Sequence, residues 1–166
     1  MSGRLPFDPI EEARRQWGEH GWAEAADGMA TVTSIMRAEQ IFLARVDEVL
    51  RPMGLTFARY EALALLSFTR QGALPLGKVG QRLQVHPTSV TNTIDRLEAQ
   101  GFVRRVAHPT DRRTTLAEIT GSGRAVAERA TAALNASVFT ATGLTSTELT
   151  ELFRLLRKLR RDAGDF

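Results

Sequence analysis

The segment between residues 76 and 120 constrains the fold of this chain more than any other part of it. It reads as a short helix, a tight turn and a longer helix rich in Thr and Ser, which ends at Gly101. Two strand-like runs joined by the basic loop HPTDRR follow this glycine. The order predicts a helix-turn-helix with a β-hairpin wing, an arrangement that can bind duplex DNA and recognise its sequence.

The composition excludes several other kinds of protein. A length of 166 residues predicts one domain, residues 1–166, and 43% hydrophobic residues suffice for a core. The absence of cysteine excludes disulfides, thiolate metal sites and a thiol redox sensor. Because no apolar stretch approaches membrane-spanning length and the N-terminus lacks a signal-peptide pattern, we expect a soluble, cytoplasmic protein without a membrane partner.

Positive charge is concentrated in the helix-turn-helix segment. The formal net charge of +3 is small, but the first 27 residues are acidic and residues 76–113 are basic. The basic residues of the second stretch are Lys78, Arg82, Arg96, Arg104, Arg105, Arg112 and Arg113. They outnumber the acidic Asp95, Glu98 and Asp111. Such a local excess predicts double-stranded DNA as a partner.

Long helices are predicted on both sides of this segment. Hydrophobic periodicity and capping signals indicate helices at about 9–20, 29–50, 57–69, 120–140 and from 145 onward, with a short strand at 74–76. In the third of these helices, Tyr60, Leu63, Ala64 and Phe68 are expected to face inward. The predicted fold is mainly α, with a winged helix-turn-helix lobe at 55–119 and dimerisation helices at 1–54 and 120–166.

The flanking helices indicate a homodimer. They carry more apolar surface than the small lobe can cover, and in soluble proteins the usual cover is a second copy. Two copies of the winged helix-turn-helix lobe, here called reading heads, also match the symmetry of duplex DNA. The alternative is that the N- and C-terminal helices pack on each other within a monomer.

The longer helix of the segment has the composition of a DNA-reading helix. His86 and Pro87 open it, since proline is favoured at the first helical position. The expected DNA contacts are Thr88, Ser89, Thr91, Asn92, Thr93 and, further along, Arg96. The opposite stripe, Val90, Ile94 and Leu97, is expected to be buried. The alternative is that the hydroxyl residues only cap the helix and form its solvent face.

The hairpin after Gly101 is expected to be the wing. Its strands are predicted at 102–106 and 115–119, with Pro109–Arg113 at the tip. Arg112 and Arg113 are the expected DNA contacts, because an arginine at a hairpin tip can enter the minor groove. Asp111 is expected to hold the loop through a salt bridge to Arg113 or Arg105. The alternative for the arginines is a solvated turn.

The chain resembles the MarR family of bacterial transcription regulators. The resemblance rests on the order of helices, the run VHPTSVTNTIDRLEAQGFVRR, the DRR wing tip with Asp111 and Arg113, and the following L-x-x-I-T-G-x-G-R step. It covers about residues 29–162. It implies a triangular dimer joined through its first and last helices, a palindromic DNA site, and relief of repression by a small ligand bound between the dimerisation and DNA-binding parts.

The N-terminal run DPIEEARRQWGEHGW is similar to the extra helix in the urate-responsive branch of this family. The resemblance places Trp17, Glu61 and Arg105 at three of the ligand positions of that branch. At the fourth, Thr93 replaces the arginine of the recognition helix, and Glu61 itself replaces an aspartate. Trp17 is therefore either a ligand contact or a staple of the N-terminal helix.

Other members of the family respond to phenolic acids, antibiotics or aromatic acyl-CoA thioesters. The expected apolar wall of a ligand cleft consists of Trp17, Trp22, Met36, Phe42, Tyr60 and Phe68. The expected polar groups are His20, Arg37, Arg59 and Glu61. This composition favours an aromatic anion, such as a phenolic acid or its CoA thioester, as the effector. Each of these residues has the alternative of an ordinary core or surface role.

No enzyme signature is found in the sequence. It lacks a nucleophile elbow, a phosphate-cradling glycine loop and metal-ligand spacing, and its three histidines, His20, His86 and His108, lie in separate segments. We therefore expect no catalytic residue, metal or cofactor. The expected function is that of a ligand-responsive DNA-binding repressor. The alternatives are a winged-helix module that binds protein without ligand control and, from another class, an enzyme. Salt-dependent binding to generic duplex DNA separates the first from the other two.

Overall fold

The computed structural model describes residues 5–166 and confirms the predicted fold class, which is mainly α with a small sheet. The helices are α1 (Pro9–Glu19), α2 (Ala23–Leu50), α3 (Phe57–Ser67), α4 (Leu76–Leu83), α5 (Pro87–Ala99), α6 (Gly121–Leu134) and α7 (Ser146–Asp162). The strands are β1 (Ala73–Pro75), β2 (Val103–Ala107) and β3 (Thr115–Ile119). A 3₁₀ turn at Arg51–Met53 and a π-helical turn at Asn135–Phe139 follow α2 and α6.

The chain divides into two compact units, the first ending at Ala58 and the second beginning at Arg59. The first unit is a helical hairpin. The Asp8 carboxylate caps α1 by accepting from the Ile10 N–H at 2.9 Å, and Arg14 joins α1 to α2 through an ion pair with Asp27 at 2.7 Å. Helix α2 begins at Ala23 instead of about residue 29, because the alanines and glutamate at its start are strong helix formers.

The second unit holds the predicted helix-turn-helix and wing around one core. Leu63, Leu66, Val79, Ile94 and Leu97 are fully or almost fully buried there. The sheet is antiparallel throughout, with the strand order β1-β3-β2. Strand β3 lies where it was predicted, whereas β1 begins one residue earlier and β2 one residue later than predicted. These shifts are within the usual uncertainty of element ends.

The end of α3 differs from the prediction. The helix stops at Ser67, and Phe68, which was expected to face inward, is 83% exposed. The hydroxyls of Ser67 and Thr69 donate to the carbonyls of Ala64 and Leu66, each at 2.7 Å, so side chains compete for acceptors of the last turn. Tyr60 and Leu63 are buried as predicted, and Ala64 is half-buried.

The two C-terminal helices begin at predicted caps. The Thr120 hydroxyl accepts from the Gly123 N–H at 3.0 Å, and Thr145 and Glu148 form the predicted capping box of α7. Helix α6 ends as a regular α-helix at Leu134 and continues as the π-helical turn, so the predicted element to about residue 140 has two parts. Within residues 5–166, no helix is both long and apolar enough to cross a membrane.

Two glycines in the first turn of α6 offer a matched test of this packing. A Cβ on Gly123 would overlap the carbonyl oxygen of Phe102 and lie 2.9 Å from Cγ1 of Ile119, whereas a Cβ on Gly121 meets nothing within 4 Å. We expect Gly123→Ala to lower the free energy of unfolding by about 1–3 kcal/mol through overpacking, and Gly121→Ala to leave it unchanged or raise it slightly. Urea denaturation measures both, and equal stability of the two variants contradicts the packing.

Candidate functional site

Helix α5 presents a polar face because its opposite stripe is locked in the core. Val90, Ile94 and Leu97 are 4%, 0% and 0% exposed. Most of the expected DNA contacts are exposed on the other side, namely Thr88, Ser89, Thr91, Asn92 and Arg96, while Thr93 is half-buried. The face offers short hydroxyl and amide groups, which donate and accept hydrogen bonds close to the helix backbone. Such a face suits the edges of bases in a major groove.

The tripeptide His-Pro-Thr opens both the recognition helix α5 and the loop at the wing tip, and its histidine acts in the same way in both. Nδ1 of His86, the N-cap of α5, accepts from the Thr88 N–H at 3.2 Å. Nδ1 of His108 accepts from the N–H groups of Thr110 and Asp111 at 3.4 and 3.2 Å at the wing tip. The sequence alone does not predict this shared role for the two histidines, but the repeated HPT tripeptide is a signal for it. Each imidazole holds the backbone at the point where its element starts.

The wing tip is held by Asp111, but not by the expected ion pair. Its carboxylate accepts from the Arg113 N–H at 3.0 Å and from the Thr114 hydroxyl at 2.6 Å. These bonds, first that of Thr114, lower the pKa of Asp111. The predicted salt bridge to Arg113 or Arg105 is wrong for the described residues, since a backbone N–H so close in sequence is the nearer donor. The Arg113 guanidinium therefore remains available for another anion.

Arg105 is committed to a different role. It lies on β2, half-buried, and its guanidinium pairs with Asp95 at 2.6 Å and with Glu98, both on α5. The Arg105 N–H also donates to Glu98 at 2.9 Å, and this bond is the largest cause of the lowered pKa of Glu98. The arrangement ties the wing to the recognition helix. A ligand anion would have to compete with two carboxylates for this arginine.

The four arginines of the wing thus fall into two pairs with different tasks. Arg104 forms a cross-strand ion pair with Glu118 at 2.9 Å, and Arg105 pairs with α5 as described above. Arg112 and Arg113 are exposed at the tip and make no ion pair with any residue from 5 to 166. The first pair stabilises the wing, and the second pair carries uncompensated charge at its end.

A basic groove lies between α4 and the wing. It has a volume of about 580 Å³ and is lined by Pro75, Leu76, Gly77, Lys78, Gln81, His108, Arg113, Thr114 and Thr115. Lys78 and Arg113 supply positive charge from its two sides. The groove can accommodate a phosphate group, because the cations of Lys78 and Arg113 and the hydroxyls of Thr114 and Thr115 are groups that bind phosphate oxygens.

Half of the expected ligand residues of the first unit, Trp17, His20 and Trp22, gather at the junction of α1 and α2. The Trp17 and Trp22 rings meet edge to face at 5.3 Å, and His20 stacks on Trp22 at 5.9 Å. Trp22 is 55% exposed. The others lie along α2: Met36 is exposed, Arg37 bonds Gln40 at 3.1 Å, and Phe42 carries the Arg45 guanidinium over its ring at 5.7 Å.

The expected ligand residues of the second unit serve several purposes. Tyr60 is buried and its hydroxyl lies 3.1 Å from that of Thr131, which favours the core role left open by the sequence. Arg59 donates to the Gln100 side chain at 3.4 Å. Burial raises the pKa of Glu61, which is half-buried, and Phe68 is exposed beyond the end of α3.

Comparison with protein sequences finds transcription regulators. The sequence profile of the MarR family matches residues 55–115. Over 129 residues the chain is 30% identical to the HTH-type transcriptional repressor Mb2911 of Mycobacterium bovis. The match covers 77% of this chain and 91% of that protein. Over 82 residues it is 34% identical to the HTH-type transcriptional regulator PapX of Escherichia coli, of whose length the chain spans only half.

Comparison with solved structures gives the same result. Sco5413, a MarR family transcriptional regulator from Streptomyces coelicolor, is 54% identical with a TM-score of 0.76, covering 84% of this chain and 97% of that one. CouR from Rhodococcus jostii RHA1, in a structure bound to p-coumaroyl-CoA, is 25% identical with a TM-score of 0.67, covering 75% and 87%.

The imidazole cap of α5 leads to a prediction about stability. We expect His86→Ala to lower the free energy of unfolding by about 0.5–2 kcal/mol, because the Thr88 N–H loses its acceptor. His86→Asn should retain the native value, since the asparagine oxygen can accept the same hydrogen bond. Denaturant titration of both variants measures the difference. Identical stabilities of the alanine and asparagine variants contradict a capping role.

Proposed function

Because the chain belongs to the MarR family of DNA-binding transcriptional regulators, which are not enzymes, we propose that it is a homodimeric repressor released from a palindromic operator by a small aromatic anion. The observation that carries the DNA-binding part is the exposed hydroxyl face of α5 beside the two unpaired arginines of the wing tip. Membership in the family supports a DNA-binding role for these elements, and their exposure in this chain supports the individual residues.

We assign two kinds of DNA contact. Thr88, Ser89, Thr91, Asn92 and Thr93 of α5 reach base edges in the major groove. Arg96, Arg112 and Arg113 bind phosphates or the minor groove. Base contacts of the first kind carry sequence discrimination, and phosphate contacts of the second kind carry salt-dependent affinity. Asp111 and Arg105 contact no DNA in this proposal, because each already holds the wing through its own hydrogen bonds.

The proposed dimer uses the long flanking helices, residues 1–54 and 120–166, and leaves residues 55–119 as the reading lobe. Helix α2 has 28 residues, of which only Ala26, Val46 and Leu50 are buried, and α7 has none buried among 17. Exposed apolar side chains on these helices include Val32, Met36, Ile41, Leu152, Phe153 and Leu159. Apolar surface on this scale requires cover, and a second copy supplies it symmetrically.

The proposed effector is an aromatic anion, such as a phenolic acid or its CoA thioester. Support comes from CouR, whose structure contains p-coumaroyl-CoA, and from the aromatic group of Trp17, His20 and Trp22 in this chain. Aromatic side chains stack on planar ligands, and the exposed Arg37 farther along α2 offers charge to an anion. We propose Trp17 and Trp22 as contacts within the first unit.

The alternative function, a winged-helix module that binds protein without ligand control, predicts no salt-dependent affinity for DNA. The exposed tip arginines favour the DNA-binding proposal, because each neutralised phosphate releases counterions and steepens the salt dependence. A titration of generic duplex DNA at several salt concentrations distinguishes the two functions.

Variants of α5 and of the wing should fail in different ways. We expect Arg113→Ala to weaken binding to all duplexes about equally and to lower the salt slope by roughly one unit. Asn92→Ala should instead relax discrimination at particular base pairs, at a cost of about 1–3 kcal/mol on the preferred site. The site is obtained by selecting duplexes from a random library with the wild-type protein. Fluorescence anisotropy then measures affinity, and sedimentation measures the number of chains per duplex.

Arg129→Ala is the matched control for this experiment. Arg129 is exposed on α6, outside the recognition helix and the wing, and its replacement removes the same charge. Wild-type affinity and salt slope in Arg113→Ala, or a single chain on the selected duplex, contradict the proposed DNA contact or the proposed dimer respectively.

Effector control has a thermodynamic signature. We expect p-coumaroyl-CoA or p-coumarate to bind the free protein more tightly than the protein–DNA complex, and DNA to weaken effector binding by the factor by which effector weakens DNA binding. Calorimetric titration into both forms measures that factor. Trp22→Ala should weaken effector binding while leaving operator affinity unchanged without effector. Equal affinity of a bound effector for both forms would show that its site does not control DNA binding.

A further inference from the structure

The turn between α4 and α5 is joined to the end of the chain through the side chain of Gln84. Gln84 is the C-cap of α4 and has a φ of 56°, the only positive φ of a non-glycine residue among residues 5–166. Both ends of its amide are used. Nε2 donates to the main-chain oxygen of Asp165 at 2.6 Å and to its carboxylate at 2.9 Å, and Oε1 accepts from Nη2 of Arg160 at 3.0 Å.

Arg160 and Asp165 close the network. Nε of Arg160 donates to the Asp165 carboxylate at 2.6 Å, and the Asp165 N–H donates to the Arg160 carbonyl at 3.0 Å. The Phe166 ring lies beneath the guanidinium groups of Arg160 and Arg157, at 5.4 and 5.8 Å. Each of Gln84, Arg160 and Asp165 bonds both of the others, so their geometry is mutually determined. We call these three residues the C-terminal clasp.

The C-terminal clasp joins the end of α7 to the turn before α5. At its first end is the last helical turn of α7, a helix with no buried residue, so packing alone does not hold that end of the helix. Its other end is the turn that leads through Val85 and His86 into α5. A left-handed conformation is costly for a residue with a Cβ. Hydrogen bonds at both ends of the Gln84 amide offset that cost and hold the turn.

We propose that the C-terminal clasp positions the recognition helix relative to α7, so that Gln84, Arg160 and Asp165 are positioning residues for operator binding. This inference rests on the proposed function. In a dimer joined through its terminal helices, the clasp connects each reading head to the interface. Two heads must then fit two half-sites at one spacing, about one helical turn apart. A head held in that position does not lose orientational freedom again on binding.

Loss of the clasp should therefore reduce the fraction of dimers that are ready to bind both half-sites. Apparent affinity falls in proportion to that fraction. Single half-sites and unrelated duplexes require only one correctly placed head, so their affinity should change little. The selectivity for two half-sites is the readout that a purely local stabilising role would not move.

The test compares Arg160→Ala with Arg161→Ala in the full chain. Both arginines lie in the last turn of α7, both are exposed, and both substitutions remove one charge, but no side-chain bond of Arg161 to another described residue is present. We expect Arg160→Ala to lower affinity for the selected two-half-site duplex about tenfold. Affinity for a half-site duplex and the salt slope should stay unchanged. Arg161→Ala should match the wild-type protein on both duplexes.

Gln84→Asn provides an independent variant. Asparagine tolerates the left-handed conformation, but its shorter side chain cannot bond Arg160 and Asp165 together. The loss in Gln84→Asn should equal that in Arg160→Ala, and the double variant should lose no more than either, because one clasp is broken in all three. Sedimentation tests whether each variant remains dimeric.

Two results overturn the inference. Arg160→Ala that binds the two-half-site duplex as tightly as Arg161→Ala shows that the clasp does not position the head. An equal loss on half-site and unrelated duplexes, with a smaller salt slope, shows that Arg160 is a phosphate contact. A wild-type protein without salt-dependent affinity for any duplex instead refutes the proposed function itself, which keeps the two failures distinct.

Discussion

The burial of one stripe of α5 is the constraint on which the DNA-reading surface depends. With Val90, Ile94 and Leu97 in the core, the rotation of this helix about its axis is determined, and the hydroxyl and amide residues must face outward. Any other rotation would bury unsatisfied polar groups and expose three apolar side chains. The same burial places the N-terminal turn of α5, capped by His86, at the surface where a partner can approach.

Arginine–carboxylate pairing separates structural charge from functional charge in the wing. Arg104 pairs with Glu118 across the two strands of the hairpin, and Arg105 pairs with Asp95 and Glu98 and so orients the hairpin relative to α5. Exposed pairs of this kind add little stability individually. Their effect here is geometric, because they fix where Arg112 and Arg113 project. The commitment of Arg105 to α5 also weighs against a direct copy of the urate-responsive site, in which the arginine of the wing strand binds the ligand.

Control by a ligand requires the reading heads to have two positions of similar free energy. The exposed helices α2 and α7 and the C-terminal clasp are consistent with such a design. Surface hydrogen bonds can be replaced by hydrogen bonds to water at a small cost in free energy, whereas rearranging a packed core costs more. In the proposed dimer, opening the C-terminal clasp would change the spacing of the heads without unfolding either one.

The helix-turn-helix, the wing and the family could be predicted from local patterns in the sequence, because periodicity, caps and turn residues act locally. Pro87, Thr120 and the Thr145–Glu148 pair started helices where expected, and Gly101 ended one with a φ of 74°. The pairing of polar groups, by contrast, could not be predicted and follows from how the elements pack. The tertiary structure exposed Phe68, gave Asp111 a backbone N–H instead of an arginine, and brought Gln84 to Asp165 across 81 positions of sequence. Such pairings depend on distances between elements, which no local pattern encodes.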